Sequence, residues 1–275
     1  STVFNALTGM HQHTGNWSGK TVGCAAGRCD VGDDPFTLVD LPGCYSLLSH
    51  SAEEEVARDL LCRGEADLAV VVCDATCLER NLNLALQIRQ IVPRTLLCIN
   101  LMDEAKKRRI TVDTDTLSRR LGMPVIGICA RKKKDIRALC SLMASACDSP
   151  PSPAKSVYPE HITRAQEMLC ANLSPCLEET AASFTALRLL DGTCRDCPAK
   201  VDEDTWTRAQ AILTEFREAG HSAEETADAM ATALVSAAER ICRGAIIRDT
   251  SRKEPKIDRI LTGRWTAFPV MLVFL

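Results

Sequence analysis

The chain has 275 residues, 46% apolar and 25% charged, with a net charge of −3. That length exceeds one typical domain and allows a sizeable core, so two domains are expected. The slight acidity removes the basic face that marks nucleic-acid binders, and aromatics at 4% leave no stacking platform for single strands. Nucleic acid is not an expected partner.

Fifteen cysteines are many, yet their odd number argues against a disulfide framework. Cys62, Cys73, Cys98 and Cys140 stand singly in apolar segments and read as small buried hydrophobes of a reducing compartment. Cys194 and Cys197 form a C-x-x-C, but no second pair lies at zinc-finger spacing.

In chain order, "STVFNALTG" (1–9) reads as the first turns of a helix. "GNWSGKTVG" (15–23) is a glycine-punctuated polar loop, although Trp17 in so polar a setting argues for packing or a partner. "FTLVD" (36–40), "ADLAVVVCD" (66–74), "RTLLCIN" (94–100) and "MPVIGIC" (123–129) are apolar runs, most of them ending in polar residues. Runs of that kind suit strands buried on both faces of a parallel sheet. Helix-like stretches at 53–63, 79–91, 113–121 and 135–147 alternate with them. The alternation predicts βαβ units, a mostly parallel sheet covered by helices on both faces. Ligands of such sheets sit beyond the carboxyl ends of the strands, where Asp40, Asp74, Asn100 and Cys129 fall.

"DSPPSPAKS" (148–156) reads as a linker. Beyond it 160–172, 175–190, 204–218 and 222–247 read as helices without a strand pattern, with Ser222 and Glu225 forming a capping box. The expected domains are 1–147 (α/β), a linker over 148–157, a small all-α domain over 158–250 and a basic segment over 251–275. That last segment carries Arg252, Lys253, Lys256, Arg259 and Arg264 before the apolar "WTAFPVMLVFL". A bilayer span needs about 20 residues. The run therefore reads as the start of a membrane helix behind a cytoplasmic basic flank, or as a buried C-terminal element.

Four motifs carry chemistry. In "DLPG" (Asp40, Leu41, Pro42, Gly43) the Asp can hold Mg²⁺ through water, and the Gly N–H can approach a γ-phosphate. In "NLMD" (Asn100, Leu101, Met102, Asp103) the carboxylate can accept both N1–H and the exocyclic amine of guanine, a pairing adenine cannot offer. The bland alternative is that Asn100 ends a strand and Asp103 caps a helix. "CAR" (Cys129, Ala130, Arg131) can turn backbone N–H groups toward guanine O6. The Thr21 hydroxyl can complete a Mg²⁺ shell while a γ-phosphate is present. Each motif alone is weak, but their order along the chain is that of the nucleotide contacts in a GTPase.

With those motifs the chain resembles the FeoB family, bacterial ferrous-iron transporters with an N-terminal G domain. The resemblance rests on "STVFNALTG", "GNWSGKTV", "TLVDLPGCYSL", "ADLAVVVCDATCLERNLNLALQI", "NLMDEAKKRRITVDTDTLSRRLGMPVI", "ALRLLDG" and "GRWTAFPVMLVFL", and so runs along nearly the whole sequence. It implies a P-loop GTPase-like α/β fold, GTP/GDP and Mg²⁺ as cofactors with K⁺ a further candidate, and slow GTP hydrolysis. It also implies coupling of the helical domain to a membrane part that moves Fe²⁺ across the inner membrane. Candidate partners are that membrane domain, small cytosolic Feo proteins and a second copy of the chain.

By position, the resemblance makes Ser1 the P-loop hydroxyl on Mg²⁺, with Thr2 beside it, and places Gly19, Lys20, Thr21 and Val22 in switch I. Asp40 to Gly43 become switch II, Asn100 to Asp103 the guanine reader, and Cys129 to Arg131 the base-lining turn. Two departures stand out. The glycine loop and Lys expected immediately before Ser1, with the first strand, are not in this sequence, so phosphate binding by the fragment is expected to be weak. Cys44 follows D-x-x-G where Ras-like proteins carry a water-orienting Gln, so hydrolysis is expected to be slow. A soluble regulatory GTPase of the ribosome-assembly type and a G-like module without turnover are the alternatives.

Overall fold

A computed structural model describes residues 2–9, 12–15, 24–31, 34–44, 47, 57–58, 60–62, 66–150, 156–194, 196–198 and 200–249. Ser1, Gly19, Lys20, Thr21, Val22, most of the helix expected over 53–63 and the segment 251–275 lie outside them. Helix α1 (Thr2–Thr8) is followed by an antiparallel sheet of β1 (Gln12–Gly15), β2 (Cys24–Val31) and β3 (Asp34–Asp40), in the order β1-β2-β3. Next come β4 (Ala69–Asp74), α2 (Leu78–Ile91), β5 (Thr95–Asn100), α3 (Met102–Lys107) and β6 (Ile110–Val112). Helix α4 (Thr114–Leu121), β7 (Val125–Gly127) and α5 (Lys133–Asp148) complete this half. β4, β5 and β7 form a parallel sheet in that order.

β5 explains why the chain folds around this sheet. Its residues Thr95 to Ile99 are all buried, as expected of a central parallel strand covered on both faces. One face packs under α1 and α5 with Val3, Leu96, Cys98, Ile128, Leu139 and Met143. The other joins Leu97 and Ile99 to Leu78, Leu82, Ile91 and Leu117 of α2 and α4.

"FTLVD" departs from the expectation. It is the edge half of an antiparallel pair, Ala25 opposite Asp40 and Cys29 opposite Phe36, rather than a member of the parallel sheet. Its residues alternate between exposed and half-buried, which a five-residue apolar run does not reveal. Among the described residues no hydrogen bond joins β3 to β4, and Val39 and Val72 on these two strands are 38% and 49% exposed.

Helices α6 (Glu160–Leu173), α7 (Glu179–Leu190), α8 (Glu203–Glu218) and α9 (Ala223–Cys242) follow. They share one apolar core with the α/β half, in which Leu82 and Ile88 join Ile162, Leu187, Leu234 and Ile241. The capping box of α9 is present, with Ser222 and Glu225 satisfying each other's backbone N–H groups. Arginines close two helix C-termini, where the macrodipole is negative. The Arg217 guanidinium donates to the carbonyls of Leu190 (2.6 Å) and Leu189 (3.3 Å), and Arg120 of α4 donates to those of Ile241 (2.7 Å) and Arg243 (2.6 Å) after α9.

The strand-free reading of 158–247 fails at one point. β8 (Ile246–Arg248) pairs antiparallel with β6, Ile110 opposite Arg248 and Val112 opposite Ile246. Strands of three residues leave no periodicity to read, and their pairing is non-local. Among the described residues no helix is long and apolar enough to cross a membrane.

Candidate functional site

The carboxyl ends of β5 and β7 bring together Asn100, Asp103, Cys129 and Ala130. Asn100 closes β5, and its carbonyl accepts the Ala75 N–H (3.0 Å) from the turn after β4. Its side-chain Oδ1 accepts the Ala130 N–H (3.1 Å), so one amide side chain ties two strand ends. Leu101 follows in the left-handed conformation (φ 64°), uncommon for a non-glycine residue. That kink lets the Met102 N–H reach the Ile128 carbonyl (3.2 Å) and starts α3 at Met102.

Asp103 lies in the first turn of α3. Its carboxyl is held below the usual carboxylate range, chiefly by a hydrogen bond from the Cys129 thiol and further by the N–H groups of Glu104 and of Asp103 itself. Its Oδ1 is buried and has no hydrogen-bond partner among the described residues. A buried ionised oxygen without a donor is costly, and in folded proteins such atoms are rare. The group therefore has acceptor capacity for a ligand that brings N–H donors.

The turn after β7 is wired from both sides. Cys129 is buried, and its N–H donates to the Asp135 carboxylate (2.9 Å) in the first turn of α5. Sequence reasoning missed Asp135; an acidic residue in the first turn of a helix closely following the turn was the available signal. Ala130 is buried and Arg131 exposed. Gly127 explains the close approach of β7 to α3: a Cβ there would stand 3.1–3.2 Å from the Met102 side chain. Asp74, also at a strand end, is engaged by its own turn, its Oδ1 accepting from the Thr76 N–H (2.7 Å) and hydroxyl (2.8 Å).

The other half of the expected site is sparser. Asp40 ends β3 half-buried, Leu41 packs on the core, Pro42 is half-buried and Gly43 is exposed. Among the described residues a Cβ on Gly43 would meet nothing within 4 Å. Gly43 and Cys44 line a cleft of about 270 Å³ with Val72, Cys73, Arg80, Asn81 and Leu84. Thr2 begins α1 and is exposed.

The family model described as "Ferrous iron transport protein B" matches residues 1–143. The chain belongs to the FeoB family. The Fe(2+) transporter FeoB of Salmonella typhimurium is 29% identical over 99% of this chain. Only 35% of that relative is covered, so the chain spans about a third of the length of the curated transporters it matches. Among solved structures, the cytosolic domain of Thermotoga maritima FeoB in its GMPPNP form superposes with a TM-score of 0.74 at 25% identity, over 90% of this chain and 94% of that one. A mutant Streptococcus thermophilus NFeoB bound to GDP gives a TM-score of 0.76 at 26% identity, with the same coverage. The chain thus has the GTPase-type α/β fold of a FeoB G domain, with the strand ends that carry N-x-x-D gathered at one edge.

Proposed function

We propose that this chain is the guanine-nucleotide-binding region of a ferrous-iron transporter, on the cytoplasmic face of a bacterial inner membrane. One observation carries the reading: the buried Oδ1 of Asp103, without a hydrogen-bond partner among the described residues, beside the Asn100–Ala130 bond. An ionised carboxylate accepts two N–H donors side by side, as guanine N1–H and its exocyclic amine present them. Adenine lacks that pair, so it leaves the carboxylate unsatisfied and is rejected. Asn100 and Asp135 fix the turn against which the base stacks, their side chains accepting the Ala130 and Cys129 N–H groups.

Phosphate chemistry falls to the other edge. Asp40 is suited to hold Mg²⁺ through water, with the Ser1 and Thr21 hydroxyls as its expected direct ligands, and the Gly43 N–H to contact the γ-phosphate. Bound there, Mg²⁺ neutralises charge between the β- and γ-phosphates; K⁺ is a further candidate cofactor. Cys44 has no amide to orient a water, so hydrolysis is slow. Helices α6–α9 form the regulatory domain after the 148–157 linker, and carry the nucleotide state to the Fe²⁺-moving membrane domain beyond the basic 251–275 segment. Feo partner proteins and a second copy of the chain are candidate partners of that assembly.

The deciding experiment is calorimetric titration of the purified protein with GDP, ADP and XDP. GDP is expected to bind at least about 100-fold more tightly than either competitor. Equal affinity for GDP and ADP would sink the reading.

A further inference from the structure

Cys29 of β2 and Cys140 of α5 are 111 residues apart in sequence, yet their sulfurs stand 3.9 Å apart. Cys29 is 3% exposed, and Cys140 is half-buried. Neither is joined in a disulfide. A disulfide needs a sulfur separation of about 2.05 Å, which small side-chain rotations can supply from this starting distance. The strand and the helix already pack together, so little backbone movement is required.

The location makes the pair consequential. β2 belongs to the antiparallel sheet whose β3 delivers Asp40, whereas α5 covers the parallel sheet and starts just after the Cys129–Arg131 turn. No hydrogen bond joins β3 to β4 among the described residues, so the two sheets are held on this side by side-chain packing of α1 and α5. A covalent bond between Cys29 and Cys140 would fix β2 against α5 directly.

Three other buried thiols are poor competitors. Burial raises the pKa of Cys73, and pushes those of Cys98 and Cys242 up to about 12, which suppresses the reactive thiolate.

We propose that Cys29 and Cys140 form a reversible disulfide under peroxide, a redox-sensitive staple between the two sheets of the α/β half. The more accessible Cys140 sulfur attacks a peroxide oxygen; the O–O bond breaks, giving a sulfenic acid and one water. The Cys29 sulfur then attacks the Cys140 sulfur, the S–S bond forms, and the hydroxyl leaves with the Cys29 proton as a second water. Two thiols lose two electrons to one hydrogen peroxide, and a dithiol reductant reverses the change. In a reducing cytosol such bonds are transient and regulatory, not structural.

The test treats the purified protein with limiting hydrogen peroxide, blocks remaining thiols and maps peptides without reduction. The expected result is a single dominant cross-link joining the Cys29 and Cys140 peptides, with a rise in Tm of about 5 °C or more that dithiothreitol reverses. Cys140→Ser should remove both the cross-link and the rise while leaving the reduced Tm within about 2 °C, and Cys29→Ala serves as the second variant. Separate blocking of Cys29 and Cys140 after peroxide, dominant cross-links to other cysteines, or a Tm rise that survives in both variants would overturn the proposal. None of these readouts depends on nucleotide.

Discussion

The two edges of the candidate site are built differently. At the ends of β5 and β7, Asn100 accepts the Ala130 N–H and Asp135 the Cys129 N–H, and glycine at 127 lets the strand and α3 close up. At the end of β3, Gly43 projects into open space and Asp40 ends an edge hairpin. A base reader gains from rigidity, because its selectivity comes from donors and acceptors held in fixed positions. A γ-phosphate sensor needs the opposite, a segment whose position the ligand can change. On the proposed reading, the contrast separates the recognition edge from the switching edge.

The largest predicted effect tests the braced edge. Asp103→Asn should cut GDP affinity by about 100-fold or more and bring XDP affinity level with it or above, read by calorimetry. An unchanged preference for GDP would mean that Asp103 only caps α3.

Gly43→Ala probes the open edge. The new methyl meets nothing among the described residues, so Tm should stay within about 1 °C, whereas affinity for a non-hydrolysable GTP analogue should fall about tenfold and that for GDP should not. Equal losses for both nucleotides would erase the distinction between the edges.

Cys44→Ala is expected to change GTP turnover less than about threefold, since a thiol contributes little to water orientation. A drop of about 100-fold would make Cys44 a participant in hydrolysis.

The smallest effect expected is that of pH. The Asp103 carboxyl titrates below its ordinary 3.8, so its contribution is fully present above that value and is lost only as pH falls through the lowered one. GDP affinity should accordingly be flat from about pH 8 to about pH 5. A loss centred near neutral pH would point to a different titrating group.

Much of the braced edge was legible in the sequence. "RTLLCIN" is a long apolar run ending in a polar residue, and such a run specifies a central strand. α2, α4, α5 and the Ser222 cap were likewise marked by periodicity and capping chemistry. What escaped was set by distant partners. β2, with Gly27 and Arg28 inside it, has little intrinsic strand character and takes its pairing from β3. β6 and β8 are too short to carry a period, and Asp135 gains its role only when α5 folds back on the Cys129 turn.

The β6–β8 pair has a mechanical meaning. The Asp249 N–H donates to the Arg109 carbonyl (3.2 Å), and the Ala245 carbonyl accepts the Asp113 N–H (2.8 Å), closing the short ladder at both ends. The ion pair between Arg109 and Asp249 is half-exposed and adds little, so the backbone ladder bears the attachment. The polypeptide leaves the α6–α9 bundle, returns across 140 positions of sequence, and is clamped one short helix away from Asp103. Whatever hangs from Asp249 is thus anchored beside α3, the helix that carries Asp103. A load applied there would reach α3 through one strand, while a load on the bundle alone would have to cross its whole core.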